Sequence, residues 1–393
     1  MFFAPILQFV TKRDLILKRS TFEHVISSMA GRNCLKGFLL TFLMVGMSGL
    51  HAQEASPQFA DLAARAAAAR DQQNIPLAIE LYTQAEQLKP DWREGWFYLG
   101  LLQYGANQFP AAIDAFNHLL QLEPSAVPAM ALRGLCEFET GAYDDSLRDL
   151  EQSIAHGAAN EPRNEQILRY HLAQLLVRAG RFQDALTQYK IFIEKQVDSP
   201  DVLLGLGLAG TRVRLLPKEI PETDRGLYLA AGSAGYAFLS GNSELAASIF
   251  TELFARYPTA PKLHLFYGYL LFQHDSELAI NQFQSELTIA PGNIEAHAIL
   301  AYTEMIAGRY AEAVPEAEHV LAAMSDMEMA LIALGRSLGE TGDPKHGMEL
   351  LNRVLQSDPD NLEVHMGLAA IYSRAGRRED AYRERMVCLG LAK

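Results

Sequence analysis

This chain lacks the signatures of catalysis. It has no H-E-x-x-H pair, no P-loop, no G-x-S-x-G elbow and no closely spaced cysteine pair, the usual marks of zinc, nucleotide and acyl-transfer chemistry. Its Asp and Glu residues are scattered and define no acid–base couple. Cysteine is scarce: three in 393 residues, Cys34, Cys136 and Cys388, which gives no disulfide framework. Positive charge is scarce too. The formal net charge is −13 and, past the first 52 residues, Arg377-Arg378 is the one basic cluster to note. An acidic surface repels phosphate backbones and anionic headgroups, so neither nucleic acid nor a lipid surface is expected as a partner. No cofactor and no metal are expected.

The first 52 residues stand apart. Gly37 to Leu50 is an apolar run of 14 residues, preceded by Arg32 and Lys36 and followed by His51-Ala52. A basic n-region, a short h-region and a small residue before the cut read as a secretory signal. The run is short for a membrane span, which needs about 20 apolar residues; an uncleaved anchor is the alternative. Met29 supplies a conventional start eight residues before the run, with residues 1–28 then read as an extended start. Residues 1–52 carry six Lys or Arg and two Asp or Glu, so the processed chain has a net charge of −17. The expectation is an exported protein, periplasmic or extracellular, with no membrane insertion after cleavage near Ala52.

What the rest of the chain has is a period. Small residues fall at Ala78, Ala112, Ser146, Ala185, Ala246, Ala279, Ala313, Gly347 and Ala381, with successive gaps of 34, 34, 39, 61, 33, 34, 34 and 34 residues. Four positions after them come Tyr82, Phe116, Leu150, Tyr189, Phe250, Phe283 and Leu351; twelve positions after come Pro90, Pro124, Pro258, Pro291 and Pro359. Twelve positions before lie further small residues: Ala66, Gly100, Gly134, Ala173, Ala234, Ala301, Gly335 and Ala369. Turn residues such as Gly141, Gly180, Gly241, Gly308 and Gly376 lie between. Each unit is therefore two helices of about a dozen residues, A and B, packed closely through small side chains and ended by a proline.

These residues resemble the tetratricopeptide repeat (TPR). The second unit matches it best, in Trp96, Leu99, Gly100, Ala112, Phe116 and Pro124, and the resemblance covers roughly residues 59–390. It implies an all-α, right-handed superhelical solenoid of nine to ten helix-turn-helix repeats with a degenerate repeat in the middle. The expected division is an N-terminal stack over 53–196, a degenerate repeat and loop over 197–226, and a C-terminal stack over 227–393.

The irregular stretches carry their own readings. His156 to Glu165 is a polar insertion that maps to a surface loop. The 61-residue gap is seven short of two periods, so one unit has lost most of a helix. Asp201 to Leu216 reads as a helix, Pro217 to Gly226 cannot continue it, and the next helix starts near Asp224. The loop residues Lys218, Glu219 and Glu222 offer a contact surface. Gly205, Gly207 and Gly210 satisfy G-x-G-x-x-G, but the dinucleotide reading needs a strand before them and a helix after. Helical flanks make them packing glycines.

Eleven histidines invite a metal check. His264, His297 and His365 lie four residues before the small helix-A position, where the second unit has Trp96, and read as seam packing. Stacked helices run 8–10 Å apart, too far for two imidazoles to share zinc at ~2 Å each.

The resemblance also implies which positions line a concave groove. They select Phe97, Tyr104, Phe138, Tyr170, Tyr228 and Phe238, then Lys262, Leu265, Tyr269, Phe272, Tyr302 and Met305. The face is aromatic and aliphatic. It lacks the Lys, Arg and Asn set with which the family's chaperone-tail binders hold a terminal carboxylate. A register error of one residue would instead bury some of these rings between helices. The groove implies a non-catalytic scaffold or assembly factor of the cell envelope that binds a protein or peptide segment. The alternatives are a receptor for a glycan or other flat ligand stacking on aromatics, and an accessory subunit of a separate enzyme.

N-terminal sequencing of the exported protein should find a mature terminus close to Gln53; an intact Met1 or Met29 terminus would identify an anchor.

Overall fold

The computed structural model describes residues 56–160 and 162–391; the leader and its expected cleavage site lie outside them. Among the described residues are nineteen α-helices, two single-turn 3-10 helices and no strand. They run in pairs. The first four are α1 (Pro57–Asp71) with α2 (Ile75–Leu88), α3 (Arg93–Gly105) with α4 (Phe109–Leu122), α5 (Val127–Thr140) with α6 (Tyr143–Ala155), and α7 (Pro162–Ala179) with α8 (Phe182–Glu194). Helix α9 (Pro200–Gly210) has no partner. After it come α10 (Glu222–Leu239) with α11 (Ser243–Arg256), α12 (Leu263–Leu271) with α13 (Ser276–Ile289), and α14 (Ile294–Ile306) with α15 (Tyr310–Ala323). The last are α16 (Glu328–Thr341) with α17 (Pro344–Ser357) and α18 (Leu362–Arg374) with α19 (Arg378–Leu391). Nine complete pairs and a lone central helix are the expected all-α repeat array. No helix among the described residues is long and apolar enough to cross a membrane.

The periodic residues explain why the pairs close. Tyr82, Phe116, Leu150, Tyr189, Phe250, Phe283 and Leu351 are all buried, none more than 1% exposed. Each sits where it can cover a small residue of its helix A: a Cβ added to Gly100 would meet Phe116 at 2.7 Å, and one added to Gly335 would meet Leu351 at 2.8 Å. At the Gly335–Gly347 crossing the backbones themselves touch, for a Cβ on Gly347 would collide with the Gly335 carbonyl. In the third pair Ser146 donates its hydroxyl to the Gly134 carbonyl at 2.7 Å. Removing one of the covering rings leaves a cavity that costs about 3–5 kcal/mol.

A second device joins each pair to the next. Proline ends helix B and leaves its own carbonyl unbonded by the helix. In three repeats a ring from the first turn of the following helix A donates to it: Trp96 Nε1 to Pro90 at 2.8 Å, His297 Nε2 to Pro291 at 2.8 Å, and His365 Nε2 to Pro359 at 2.9 Å. The Trp96 ring also stacks on His118, and the His297 ring lies tilted against His319, with centroids 4.3 Å apart in both cases. His264 differs. It bonds Gln282 at 2.8 Å and stacks on Phe254 at 3.9 Å. Seam packing is thus the role of all three histidines, and Trp96 is only half-buried.

The centre departs from the sequence reading. Helix α9 stops at Gly210, short of Leu216, because the chain turns at Arg212, whose φ is 59°. The chain divides into two compact units: one holds the described residues up to Gly205 with Val213–Pro221, the other Leu206–Arg212 with Glu222 onward. The three glycines of α9 are packing sites on a helix, as expected. Gly205 faces the Tyr189 hydroxyl, Gly207 the Tyr228 carbonyl and Gly210 the Phe266 ring, each too close for a Cβ.

His365 also engages Glu384 through Nδ1 at 2.6 Å. With both ring nitrogens facing acceptors, the ring holds two protons. Burial lowers its pKa, but the bonds to Glu384 and the Pro359 carbonyl, with Asp360 nearby, outweigh burial and leave it above 6.5. A raised folded value means this stabilisation is complete below about pH 6.5 and is lost as pH rises through the folded pKa. Thermal unfolding followed by circular dichroism should show that His365→Gln costs about 1.5–3 kcal/mol in mild acid and far less in alkali; an equal cost at both would mean the ring is neutral throughout.

Candidate functional site

Within the C-terminal unit, the A helices α12, α14, α16 and α18 present one cross-linked row of side chains. Helix α12 carries Tyr269 and is capped by Phe272; α14 carries Glu295 and Tyr302; α16 carries Arg336; α18 carries Glu363. The Tyr269 hydroxyl donates to Glu295 at 3.1 Å, and the Arg212 guanidinium lies 4.7 Å over the Tyr269 ring while pairing with Glu295 at 3.0 Å. Phe272 and Tyr302 have ring centroids 6.0 Å apart. The Tyr302 hydroxyl reaches past α16 to Glu363 at 2.7 Å, and Arg336 bonds the other oxygen of Glu363 at 3.0 Å. A bond between residues 61 apart, across one intervening A helix, brings these A helices together on one face.

The local sequence builds this placement. Helix α12 is short, nine residues, and starts at Lys262, whose φ is 68°. It has no side-chain cap of its own. The fully buried Glu286 of α13 supplies one, accepting from the Lys262 amide at 2.8 and 2.9 Å. A carboxylate at a helix N-terminus takes orphan donors and complements the dipole. Burial keeps both tyrosine hydroxyls of the row protonated far into alkali, reinforced at Tyr302 by Glu363 and at Tyr269 by Glu295, with Arg212 opposing. The row is therefore made of neutral hydroxyls, half-buried rings and charges already paired.

Apart from Lys262, at the N-cap of α12, the residues expected to line a groove divide into three groups. Tyr269, Phe272 and Tyr302 come together in the row, all half-buried. Tyr269 and Phe272 also pack on the hydrophobic core, Tyr269 edge-on to Phe283 at 6.0 Å, so truncating them removes core contacts as well as surface. Phe97, Tyr170 and Tyr228 are half-buried elsewhere, Phe97 against Tyr98 and Tyr170 against His171 and Phe192. Tyr104, Phe138 and Phe238 are 6, 6 and 9% exposed, and Leu265 and Met305 fully buried. Tyr104, Phe238, Leu265 and Met305 are packing residues, and Phe138 is closed off by Tyr143, His171 and Lys218. Near the end of a helix A, the side chain leans into the turn and meets helix B, as Tyr104 meets Phe109 and Phe138 meets Tyr143.

Sequence reading passed over the polar half of the row, Arg212, Glu295, Arg336 and Glu363. A signal existed. Glu295 and Glu363 both lie six residues before the small helix-A position, two periods apart. No group of three or more His, Cys, Asp or Glu side chains placed to hold a metal occurs among the described residues.

Stacked helix pairs, small crossings and prolines after helix B define the class as a helical-repeat solenoid. Family models for the tetratricopeptide repeat match residues 63–126, 99–162, 170–236 and 338–384, and the chain belongs to that family. A TPR repeat-containing protein of Methanocaldococcus jannaschii is 24% identical over 307 residues, 77% of this chain and 51% of that protein. The chain thus spans about half the length of this curated relative. Among solved structures, MamA of Desulfovibrio magneticus is 20% identical over 42% of this chain and 94% of its own, with a TM-score of 0.38. A tetratricopeptide repeat protein of Parabacteroides merdae is 18% identical over 62% and 98%, with a TM-score of 0.34. Repeats of this family generally serve as scaffolds for protein–protein interaction.

Tyr302→Phe deletes one charge-assisted bond and leaves Glu363 held by Arg336. It should cost about 1.5–3 kcal/mol in urea unfolding with unchanged far-ultraviolet circular dichroism; no cost would mean that the hydroxyl is equally well bonded to water.

Proposed function

We propose that this chain is an exported, non-catalytic scaffold that holds an extended protein segment against the aromatic row of its C-terminal unit. The observation that carries the reading is the row itself: ring faces at Tyr269, Phe272 and Tyr302 alternate with paired charges on successive A helices. An extended chain offers apolar side chains to such rings and backbone groups to the carboxylates and guanidinium beside them. Half-buried aromatics are the residue type that most often anchors an interface. The charges of the row are already paired, so capture should weaken little with added salt. Export rests on the basic–apolar–small pattern before Gln53, and the acidic balance of the processed chain favours a protein partner over nucleic acid.

Site-specific photo-crosslinking tests both parts. A photoreactive phenylalanine analogue at position 302 should give discrete covalent protein adducts in envelope fractions. The same analogue at Leu245, 48% exposed on helix B of its pair, should not. Equal labelling at the two positions would refute the aromatic row as the binding face. Adducts found only in the cytosol would refute export.

A further inference from the structure

In the N-terminal unit, one surface is already covered by a segment that behaves as a ligand. Residues 213–221 leave the helical array after Arg212 and turn back onto α5, α6 and α7. Prolines at 217 and 221 keep the segment from continuing as helix, and a single 3-10 turn, Pro217–Glu219, is its only regular structure. Its contacts have the form of an interface. Leu216 is fully buried and joins a cluster with Tyr104, Phe138, Leu168 and Leu175. Around this anchor lies a polar rim. The Lys218 ammonium lies 5.3 Å from the Phe138 ring and 5.7 Å from the Tyr143 ring. Arg178 covers Tyr143 at 4.4 Å and bonds both oxygens of Glu219 at 3.2 Å. His171 packs edge-on to Phe138, with centroids 4.8 Å apart.

The rim is wet. Leu215 is 39% exposed, and the Arg178–Glu219 pair keeps 38% and 32% of its side-chain surface in water. A dry apolar anchor of Leu216, Pro217 and Ile220 inside a polar, partly solvated ring is the anatomy of a binding site. The segment also carries its own conformational lock, since Glu219 Oε2 accepts from the Leu216 amide at 2.8 Å.

We propose that the surface formed by Phe138, Tyr143, His171 and Arg178 is a peptide-docking site, occupied in cis by residues 214–220, whose partner in trans is a protein segment of the pattern aliphatic–Pro–Lys–Glu. Each element of that pattern has its receptor: the Leu168–Leu175 pocket for the aliphatic residue, the two rings for lysine, and Arg178 for glutamate. A tethered segment acts at an effective concentration on the order of mM, so a free peptide reaches the site only when the cis contact is weakened. The inference rests on the chain being a binder of extended segments, but it uses the other unit and is tested apart from the row at Tyr302.

The probe is a fluorescein-labelled peptide of residues 211–222, titrated by anisotropy into the full chain. The wild type should bind weakly. Lys218→Ala with Glu219→Ala, which loosens the cis segment, should tighten binding at least about tenfold, the gain expected when a competitor at mM effective concentration is removed. Adding Arg178→Glu should abolish that gain, and a peptide carrying Lys at the position of Glu219 should restore it. No gain in the loosened variant, or equal binding of a scrambled peptide, overturns the proposal. Amide hydrogen exchange guards against misfolding: protection should fall across 213–221 and persist in α5–α7. Loss of protection in those helices too would make the segment part of the core and also overturn the proposal.

Discussion

The closest approach of backbones, where helix A crosses helix B, governs this structure. Gly335 against Gly347 and Gly134 against Ser146 leave no room for larger side chains, and that contact fixes the place of every ring around it. A bulky residue one helical turn beyond the small residue of helix B then falls over the small residue of helix A, which is why Phe116 covers Gly100 and Leu351 covers Gly335. Close-packed interiors tolerate little change of volume at such points. Because the same geometry recurs from pair to pair, the A helices within the C-terminal unit come together in one cross-linked row.

What could be read from sequence follows from that contact. Small, bulky and proline positions recur because the backbone demands them, and the pairs they mark are the pairs observed. The site was legible only in part. Tyr269, Phe272 and Tyr302 belong together, yet the polar residues that hold them were invisible: Tyr302 meets Glu363 across 61 positions, a contact that depends on how successive A helices are set against each other. Tyr104 and Phe238 lie buried outside the row for a different reason. A helical position faces in or out by about 100° per residue, and the last turn of each A helix leans into its own helix B. The early end of α9 had no signal either, because the left-handed backbone at Arg212 is held by tertiary contacts of its guanidinium with Glu295 and Tyr269.

The two units treat their aromatic faces differently. In the C-terminal unit the tyrosine hydroxyls are tied to carboxylates, so the half-buried rings are fixed in place. In the N-terminal unit the rings of Phe138 and Tyr143 are covered by the chain's own Lys218 and by Arg178. The loop residues Lys218 and Glu219, read from sequence as a contact surface, make this intramolecular contact.

A linear array of repeats behaves as a one-dimensional Ising chain, in which cooperativity is set by the coupling between neighbours. The ring-to-carbonyl bond at Pro90, Pro291 and Pro359 is such a coupling. At Pro90 it is made by an indole, whose proton never leaves under physiological conditions, so that junction has a constant strength. At Pro291 and Pro359 it is made by imidazoles. At Pro359 the coupling is a function of proton activity: burial lowers the pKa of the His365 imidazole, but its bonds to Glu384 and the Pro359 carbonyl outweigh burial and raise it. The hold of the last repeat on its neighbour therefore varies with acidity while the junction at Pro90 stays fixed.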